Sequence, residues 1–213
     1  MSSPPAVRIR VGVTGHRDLP QPHAIEEKLS RVFAERLPDF FIEEEESARR
    51  LGVACSPPGY CYTIVTSLAE GADRLVAHYF LRYPGTQLRV VLPLSRETYL
   101  EDFILAASRA EFDELLRLDP APVHLQSAHG AQAPTGATAA ETRRLAYQAA
   151  GRYVVDHCDV VVAIWDGAKA RGPGGTTEII NYARRRRRPL VILFIDERRS
   201  KIYRGEGLRM PAL

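Results

Sequence analysis

The chain has 213 residues, of which 45% are hydrophobic and 26% are charged, and its formal net charge is +3. These values are typical of a globular protein that is long enough for one α/β domain and not clearly for two. A charge this small does not by itself indicate a nucleic-acid partner.

The sequence predicts neither a membrane span nor a signal peptide. No apolar run approaches the roughly 20 residues of a membrane span, and the first residues lack the basic and apolar regions of a signal peptide. We therefore expect a cytoplasmic protein with no membrane segment in this chain. The three cysteines lack metal-site spacing, and an odd count argues against a disulfide framework. No metal and no cofactor are expected.

Apolar runs of strand length alternate with segments of helical periodicity. Strands are predicted at residues 7–13, 60–66, 88–94, 160–165 and 190–195, with a short strand at 123–125. Helices are predicted from Ile25 to Leu37, around 75–80, after Ser95 as one long helix through Leu116, and at 142–155 and 176–188. In the helix at 142–155, four residues are expected to face the core, namely Leu145, Ala149, Tyr153 and Val154. Residues 127–140 read as a long loop.

Five or six buried strands alternating with helices predict a Rossmann-like α/β fold, a doubly wound and mostly parallel sheet flanked by helices in a single domain. We expect that domain to cover residues 1–213, with its core at about 6–196 and a tail at 197–213. A further domain in a longer protein is left open.

Three segments fall at the carboxyl ends of predicted strands, where ligands bind to such sheets. They are residues 14–17, 67–73 and 165–178. The last segment runs from a strand through a glycine-rich turn into a helix, an arrangement that presents backbone N–H groups and a helix N-terminus to an anion such as phosphate.

The first segment offers Gly15, His16 and Arg17. Gly15 either lets the backbone approach a ligand closely or only makes a strand-to-helix turn. Arg17 has the planar fork that grips phosphate, and the alternative is that His16 and Arg17 are ordinary surface residues.

The second segment offers Ser67, Glu70, Gly71 and Asp73. Glu70 is a candidate acceptor for ribose hydroxyls. The alternative is a capping box, in which Ser67 caps a helix and Glu70 stands at the third position after it. Asp73 is also the kind of acid that a helix dipole favours in the first turn.

The third segment carries most of the remaining candidates. A threonine at a helix start caps the helix or binds phosphate, and a glutamate in the first turn serves as a ribose ligand, a catalytic carboxylate or a dipole partner. Trp165 either stacks on a base or belongs to the core. The candidates are Trp165, Asp166, Gly174, Gly175, Thr176, Thr177 and Glu178.

Arg184 to Arg188 are five consecutive arginines at the end of the last predicted helix. Cations are favourable at a helix C-terminus, and a basic run can also bind nucleic acid. Because no aromatic or groove-reading motif accompanies the run in the sequence, we do not expect nucleic acid to be the partner.

Taken together, these motifs resemble the SLOG superfamily, the Rossmann-like group that includes the Lonely-Guy cytokinin-activating enzymes and the DNA-processing protein A. The residues that carry the resemblance are 13–17, 67–74, 163–167 and 174–178. The resemblance is to the SLOG domains of bacterial conflict systems. It implies binding of a nucleotide or nucleotide-derived signal, such as a cyclic ADP-ribose type molecule, as a second-messenger sensor. It also implies a homodimer or tetramer and a partner effector domain or protein.

The enzymatic branch offers an alternative function. Lonely-Guy phosphoribohydrolases carry Pro-Gly-Gly-x-Gly-Thr-x-x-Glu, whereas here Pro173-Gly174-Gly175 leads directly into Thr176, Thr177 and Glu178. The shorter loop puts Glu178 out of register with the catalytic glutamate. A hydrolase of nucleoside 5'-monophosphates, with Glu178 on the ribose and Arg17 on the phosphate, therefore ranks below a non-catalytic sensor, and a DNA-binding protein ranks third.

Overall fold

The structure is a computed structural model that describes residues 7–35, 60–125, 138–168, 174–195 and 200–203. Seven strands form one sheet in the order β4-β3-β2-β1-β5-β6-β7. The first six are parallel and β7 is antiparallel to β6. The strands are β1 Val7–Gly15, β2 Tyr60–Thr66, β3 Gln87–Leu92, β4 Val123–His124, β5 Val160–Trp165, β6 Leu190–Phe194 and β7 Ser200–Tyr203.

Helices cover both faces of the sheet. Within the described ranges they are α1 Pro22–Glu35, α2 Ala72–Leu81, α3 Arg96–Leu100, α4 Ala106–Leu116, α5 Ala139–Asp156 and α6 Thr176–Arg185. Ile9, Val11 and Val13 of β1 pack with α1, α2, α3 and α4 in one core cluster, and the buried residues of α5 and α6 form the other. The predicted Rossmann-like α/β fold in a single domain is confirmed.

The predicted long helix after Ser95 is wrong, because the chain forms two shorter helices with a break at residues 101–105. Phe103 and Phe112 are nine residues apart, which in one continuous helix would place them on opposite faces. The break lets both rings bury with Tyr99, at centroid distances of 5.1 to 5.6 Å. Ile104 and Leu105 in the break are left 88% and 67% exposed.

Helix α5 begins at Ala139, three residues before its predicted start. A capping box extends it, since the Thr138 hydroxyl accepts from Glu141 N and the Glu141 carboxylate accepts from Thr138 N. Of the four residues predicted to face the core, Val154 is buried and Tyr153 packs half-buried against the core. Leu145 and Ala149 are exposed, and Ala150 and Val155 are buried instead.

The C-terminal boundary also differs from the prediction. Ser200–Tyr203 lies in the expected tail and pairs with β6 as the seventh strand. The end of the predicted first helix, Arg36 to Pro38, and most of the predicted loop at 127–140 lie outside the described residues. Among the described helices, none is long and apolar enough to cross a membrane.

Gly12 in the middle of β1 allows α5 to lie close against the sheet. A Cβ at this position would lie 2.7 Å from Cys158 Sγ and 2.9 Å from Val154 Cγ1, both closer than real side chains approach. Cys158 is fully buried, as expected for a core cysteine, and burial raises its pKa to about 12.

We predict that Gly12→Ala lowers the free energy of unfolding by about 1 to 3 kcal/mol, the usual cost of overpacking a core. Chemical denaturation of the single variants and of Gly12→Ala/Cys158→Ala measures the effect. Because Cys158→Ala removes the nearest clashing atom, the double variant should lose roughly 1 kcal/mol less than the sum of the single losses. Simple additivity would show that the two residues do not compete for this space.

Candidate functional site

The order of the strands places a crevice between β1 and β5. From β1 the chain continues to β2 on one side, and β5 pairs with β1 on the other, so the sheet reverses its winding between these two strands. Ligands of doubly wound sheets bind at this point, beyond the carboxyl ends of the strands. A crevice of about 340 Å³ lies there. Six predicted site residues line it, namely Gly15, Arg17, Ser67, Asp73, Gly174 and Gly175.

The N-terminus of α6 forms one wall of the crevice. Gly175 is the N-cap residue in an extended conformation, with φ −80° and ψ 159°. Gly174 has φ +79° and lies against α5, where a Cβ would be 3.0 Å from Tyr147 Cβ. The first N–H groups of a helix have no intrahelical acceptors and carry a partial positive charge, so this wall favours an anion.

Arg17 reaches the crevice from the loop after β1 and is held by Asp102. Its Nη2 donates to Asp102 Oδ2 at 3.1 Å, and Tyr147 and Arg143 donate to the same carboxylate. Burial would raise the pKa of Asp102, but the hydrogen bonds from Tyr147, Arg17 and Arg143 outweigh it, so the pKa is lowered and the group is charged at neutral pH. Burial and the contact with Asp102 raise the pKa of Tyr147 to about 12.

Sequence reasoning missed Asp102 and the α5 residues Arg143, Arg144 and Tyr147. None follows a strand or belongs to a glycine motif, and Asp102 lies in the break that was predicted to be helix. The i, i+4 spacing of Arg143 and Tyr147 placed them on one face of α5, but nothing in the sequence indicated that this face meets the crevice.

Asp73 organises the loop between β2 and α2. It lies in the first turn of α2, and its Oδ2 accepts from Thr66 Oγ1 at 2.8 Å and from the backbone N atoms of Ser67 and Ala69 at 3.1 and 3.4 Å. Burial raises its pKa above the ordinary value, and these three hydrogen bonds offset that effect only in part.

The alternative capping box of Ser67 and Glu70 is wrong. Helix α2 begins at Ala72, and its N-cap is Gly71, which makes no side-chain cap. Glu70 instead accepts a hydrogen bond from Ser108 in α4.

Tyr99 of α3 is among the residues that line the crevice, and its buried hydroxyl has no hydrogen-bond partner among the described residues. The side chain is fully buried. A buried hydroxyl without a partner costs stability, so this one calls for an explanation.

Glu70 and Gly71 line a different and larger cavity of about 940 Å³, which Arg17 also lines. Arg74 also lines this cavity. It donates to Ser108 and Glu111, and its Cζ lies 4.6 Å from the centroid of the Phe103 ring. The predicted ribose ligand Glu70 therefore lies on the other side of Arg17 from the helix N-terminus.

The other predicted site residues make contacts outside the crevice lining. Trp165 Nε1 donates to Thr177 Oγ1 at 2.9 Å, and that hydroxyl donates to Ala168 O at 2.9 Å. Thr176 is the first residue of α6. These contacts connect the end of β5 to α6.

His16 Nε2 lies 3.1 Å from Asp166 Oδ1, although the pair lacks hydrogen-bond geometry. Glu178 Oε1 accepts from Arg152 of α5 at 3.1 Å, and Glu178 is not among the residues that line the crevice.

Gly15 and Gly71 are required by close packing. A Cβ on Gly15 would lie 2.4 Å from Ala72 Cβ, and one on Gly71, at φ +75°, would lie 2.1 Å from Arg17 O. Ala72 N donates to His16 O at 3.0 Å across the same contact. The two glycines therefore clamp the loop that carries Arg17 onto the start of α2.

Comparison with protein-family models gave no match, and comparison with curated proteins gave no significant relative. The resemblance to the SLOG superfamily therefore rests on the sequence motifs alone.

We predict that Asp73→Ala destabilises the protein by roughly 3 kcal/mol, because it leaves buried donors without an acceptor. Asp73→Asn should lose less, since one amide oxygen can replace Oδ2. Because the folded pKa is raised above 3.8, the stabilisation linked to this shift is complete below that pH and is lost as pH rises through the folded pKa. Denaturation across this range should show wild type losing stability relative to Asp73→Asn, and parallel curves would contradict the assignment.

Proposed function

We propose that the chain binds the phosphate of a nucleotide or nucleotide-derived signal in the crevice between β1 and β5, and acts as a sensor or regulatory module. One observation carries the proposal: at the switch point of the sheet, the N-terminus of α6 lies at the same crevice as Arg17, Arg144 and Tyr99, whose buried hydroxyl has no partner among the described residues. Each of these groups donates hydrogen bonds, and two carry positive charge.

The charges of the crevice suit an anion. Asp102 is charged but already accepts from three donors, two of which are arginines. Asp73 accepts three hydrogen bonds of its own, and burial favours its neutral form. A phosphate would therefore meet donors on α6, Arg17 and Arg144 without facing an uncompensated carboxylate. The volume of about 340 Å³ lies at the lower end of the range for small-molecule sites.

The contacts of Glu178 support binding over N-glycosidic hydrolysis. A catalytic carboxylate must reach the bond that breaks, whereas Glu178 is paired with Arg152 between α5 and α6. The SLOG resemblance adds to the proposal a homodimer or tetramer and a partner effector.

Thermal stability against AMP, ADP, NAD, ADP-ribose and its cyclic isomers tests the proposal. A ligand at a hundred times its dissociation constant should stabilise the protein by about 2.7 kcal/mol. Arg17→Gln and Gly175→Asp should abolish the shift, because one removes a phosphate donor and the other places a carboxylate at the helix N-terminus. Arg31→Gln, an exposed change on α1, is the matched control.

Each mixture is then assayed for free base. A stabilising nucleotide that stays intact supports the sensor. Release of base that is lost in Glu178→Gln would replace the sensor with the hydrolase. The absence of a shift with every nucleotide would refute the proposal for this chain.

A second test removes the Tyr99 hydroxyl, and it should preserve or raise the stability of the free protein while lowering its affinity for the nucleotide. Tyr99→Phe removes a buried hydroxyl that lacks a partner, so the free protein should be as stable as wild type or slightly more stable. Affinity for the stabilising nucleotide, measured by isothermal titration calorimetry, should fall by about three- to tenfold, the value of one neutral hydrogen bond. Loss of stability with unchanged affinity would show that the hydroxyl serves the fold and not the ligand.

A further inference from the structure

The amino ends of the strands carry a basic surface on the sheet face that α5 and α6 cover in part. Arg8 and Arg10 of β1 and Arg89 of β3 line one groove of about 730 Å³ there, together with Tyr153 and His157 of α5. We call this groove, together with the arginine run at the end of α6, the amino-end surface. Gly15 is seven positions after Arg8 in β1, so this surface lies roughly 23 Å from the crevice.

Of the three groove arginines, Arg10 is held by a carboxylate, whereas Arg8 and Arg89 are held by backbone carbonyl oxygens. Arg10 pairs with Asp159 at 2.6 Å. Arg8 Nη1 donates to the carbonyl oxygens of Tyr62 and Gly85, and Arg89 Nη1 donates to that of Ala121. Carbonyl acceptors hold the side chains in place and leave their positive charge uncompensated, so the groove attracts anions.

The arginine run of α6 continues the same surface. Asp156, the residue before His157, accepts from Arg186 Nε at 2.8 Å through its carboxylate and from Arg188 Nη2 at 2.9 Å through its carbonyl oxygen. Arg184 to Arg187 are exposed. The run therefore contacts Asp156, the residue that precedes the groove residue His157 in α5.

The groove also contains a pair of flat rings. Tyr153 and His157 stack at a centroid distance of 3.7 Å with an interplanar angle of 12°, and His157 is exposed. The sequence alone gave the arginine run no aromatic companion, whereas the fold supplies one. A positively charged groove with an exposed flat ring is the combination that binds single-stranded nucleic acid, with phosphates on the arginines and a base on the ring.

We propose that the amino-end surface binds single-stranded nucleic acid without sequence preference, independently of the ligand in the crevice. An acidic polypeptide would satisfy the arginines, but its carboxylates offer no flat partner for the His157 ring. The planar forks of Arg8 and Arg89 suit phosphate oxygens.

Fluorescence anisotropy with a labelled oligothymidylate of about 20 nucleotides tests this, at salt concentrations from about 50 to 200 mM. Affinity should fall as salt rises. In a plot of log affinity against log salt concentration, each phosphate contact should contribute about −0.7 to the slope. Arg8→Gln/Arg89→Gln removes two contacts, so the slope should become shallower by about 1.4.

Arg31→Gln/Arg117→Gln is the matched control, with the same change in net charge but on exposed sites of the other helical layer. Its slope should equal that of wild type. His157→Ala should weaken binding about fivefold or more with an unchanged slope, because it removes stacking and no phosphate contact.

Circular dichroism and the thermal midpoint check that each variant is folded. If Arg8→Gln/Arg89→Gln unfolds, Arg185→Gln/Arg187→Gln at the exposed helix end takes its place with the same expected change.

An equal loss in the control variant would overturn the proposal in favour of unspecific charge attraction. Displacement of the oligonucleotide by poly-glutamate at equal charge concentration would overturn it in favour of an acidic protein partner. The absence of binding at about 50 mM salt would also overturn it, and none of these outcomes depends on the crevice.

Discussion

The contact between the end of β1 and the start of α2 determines the geometry of the crevice. A side chain on Gly15 would collide with Ala72 at the start of α2, and one on Gly71 would collide with the backbone of His16 and Arg17 in the loop after β1. The hydrogen bond from Ala72 N to His16 O fixes the same contact. Arg17 therefore leaves this loop at the junction of two cavities, and every interaction assigned to its guanidinium depends on this packing.

A half-buried carboxylate, Asp102, and a buried one, Asp73, lie near this contact and are stabilised in opposite ways. Asp102 accepts from two arginines and a tyrosine, which keeps its pKa low despite burial. Asp73 accepts from a hydroxyl and backbone N–H groups, and burial prevails and raises its pKa. Asp102 orients the Arg17 guanidinium at the crevice. Asp73 holds the loop between β2 and α2, and burial favours its neutral form, so it adds little negative charge there.

The two ends of the parallel strands have different chemistry. The carboxyl ends present a helix N-terminus, glycines and one oriented arginine in a small crevice, which suits a compact phosphate-bearing ligand. The amino ends present arginines and a stacked ring pair in a wider groove, which suits a polyanion. Separation by the length of β1 means that a ligand on one surface does not occupy the other.

The sequence determined the fold class, because buried strands, helical periodicity and glycine turns are local patterns. Six of the residues singled out by such patterns line the crevice. Because parallel strands all end at the same edge of the sheet, these residues could be expected to lie near one another even though the strand order was unknown. Only the tertiary structure decided the partners of Trp165, Thr177 and Glu178, since these depend on how α6 packs against β5 and α5. Asp102, Tyr147 and the grouping of Arg8, Arg89 and the arginine run also depend on contacts between residues far apart in the chain, and no local pattern encodes such contacts.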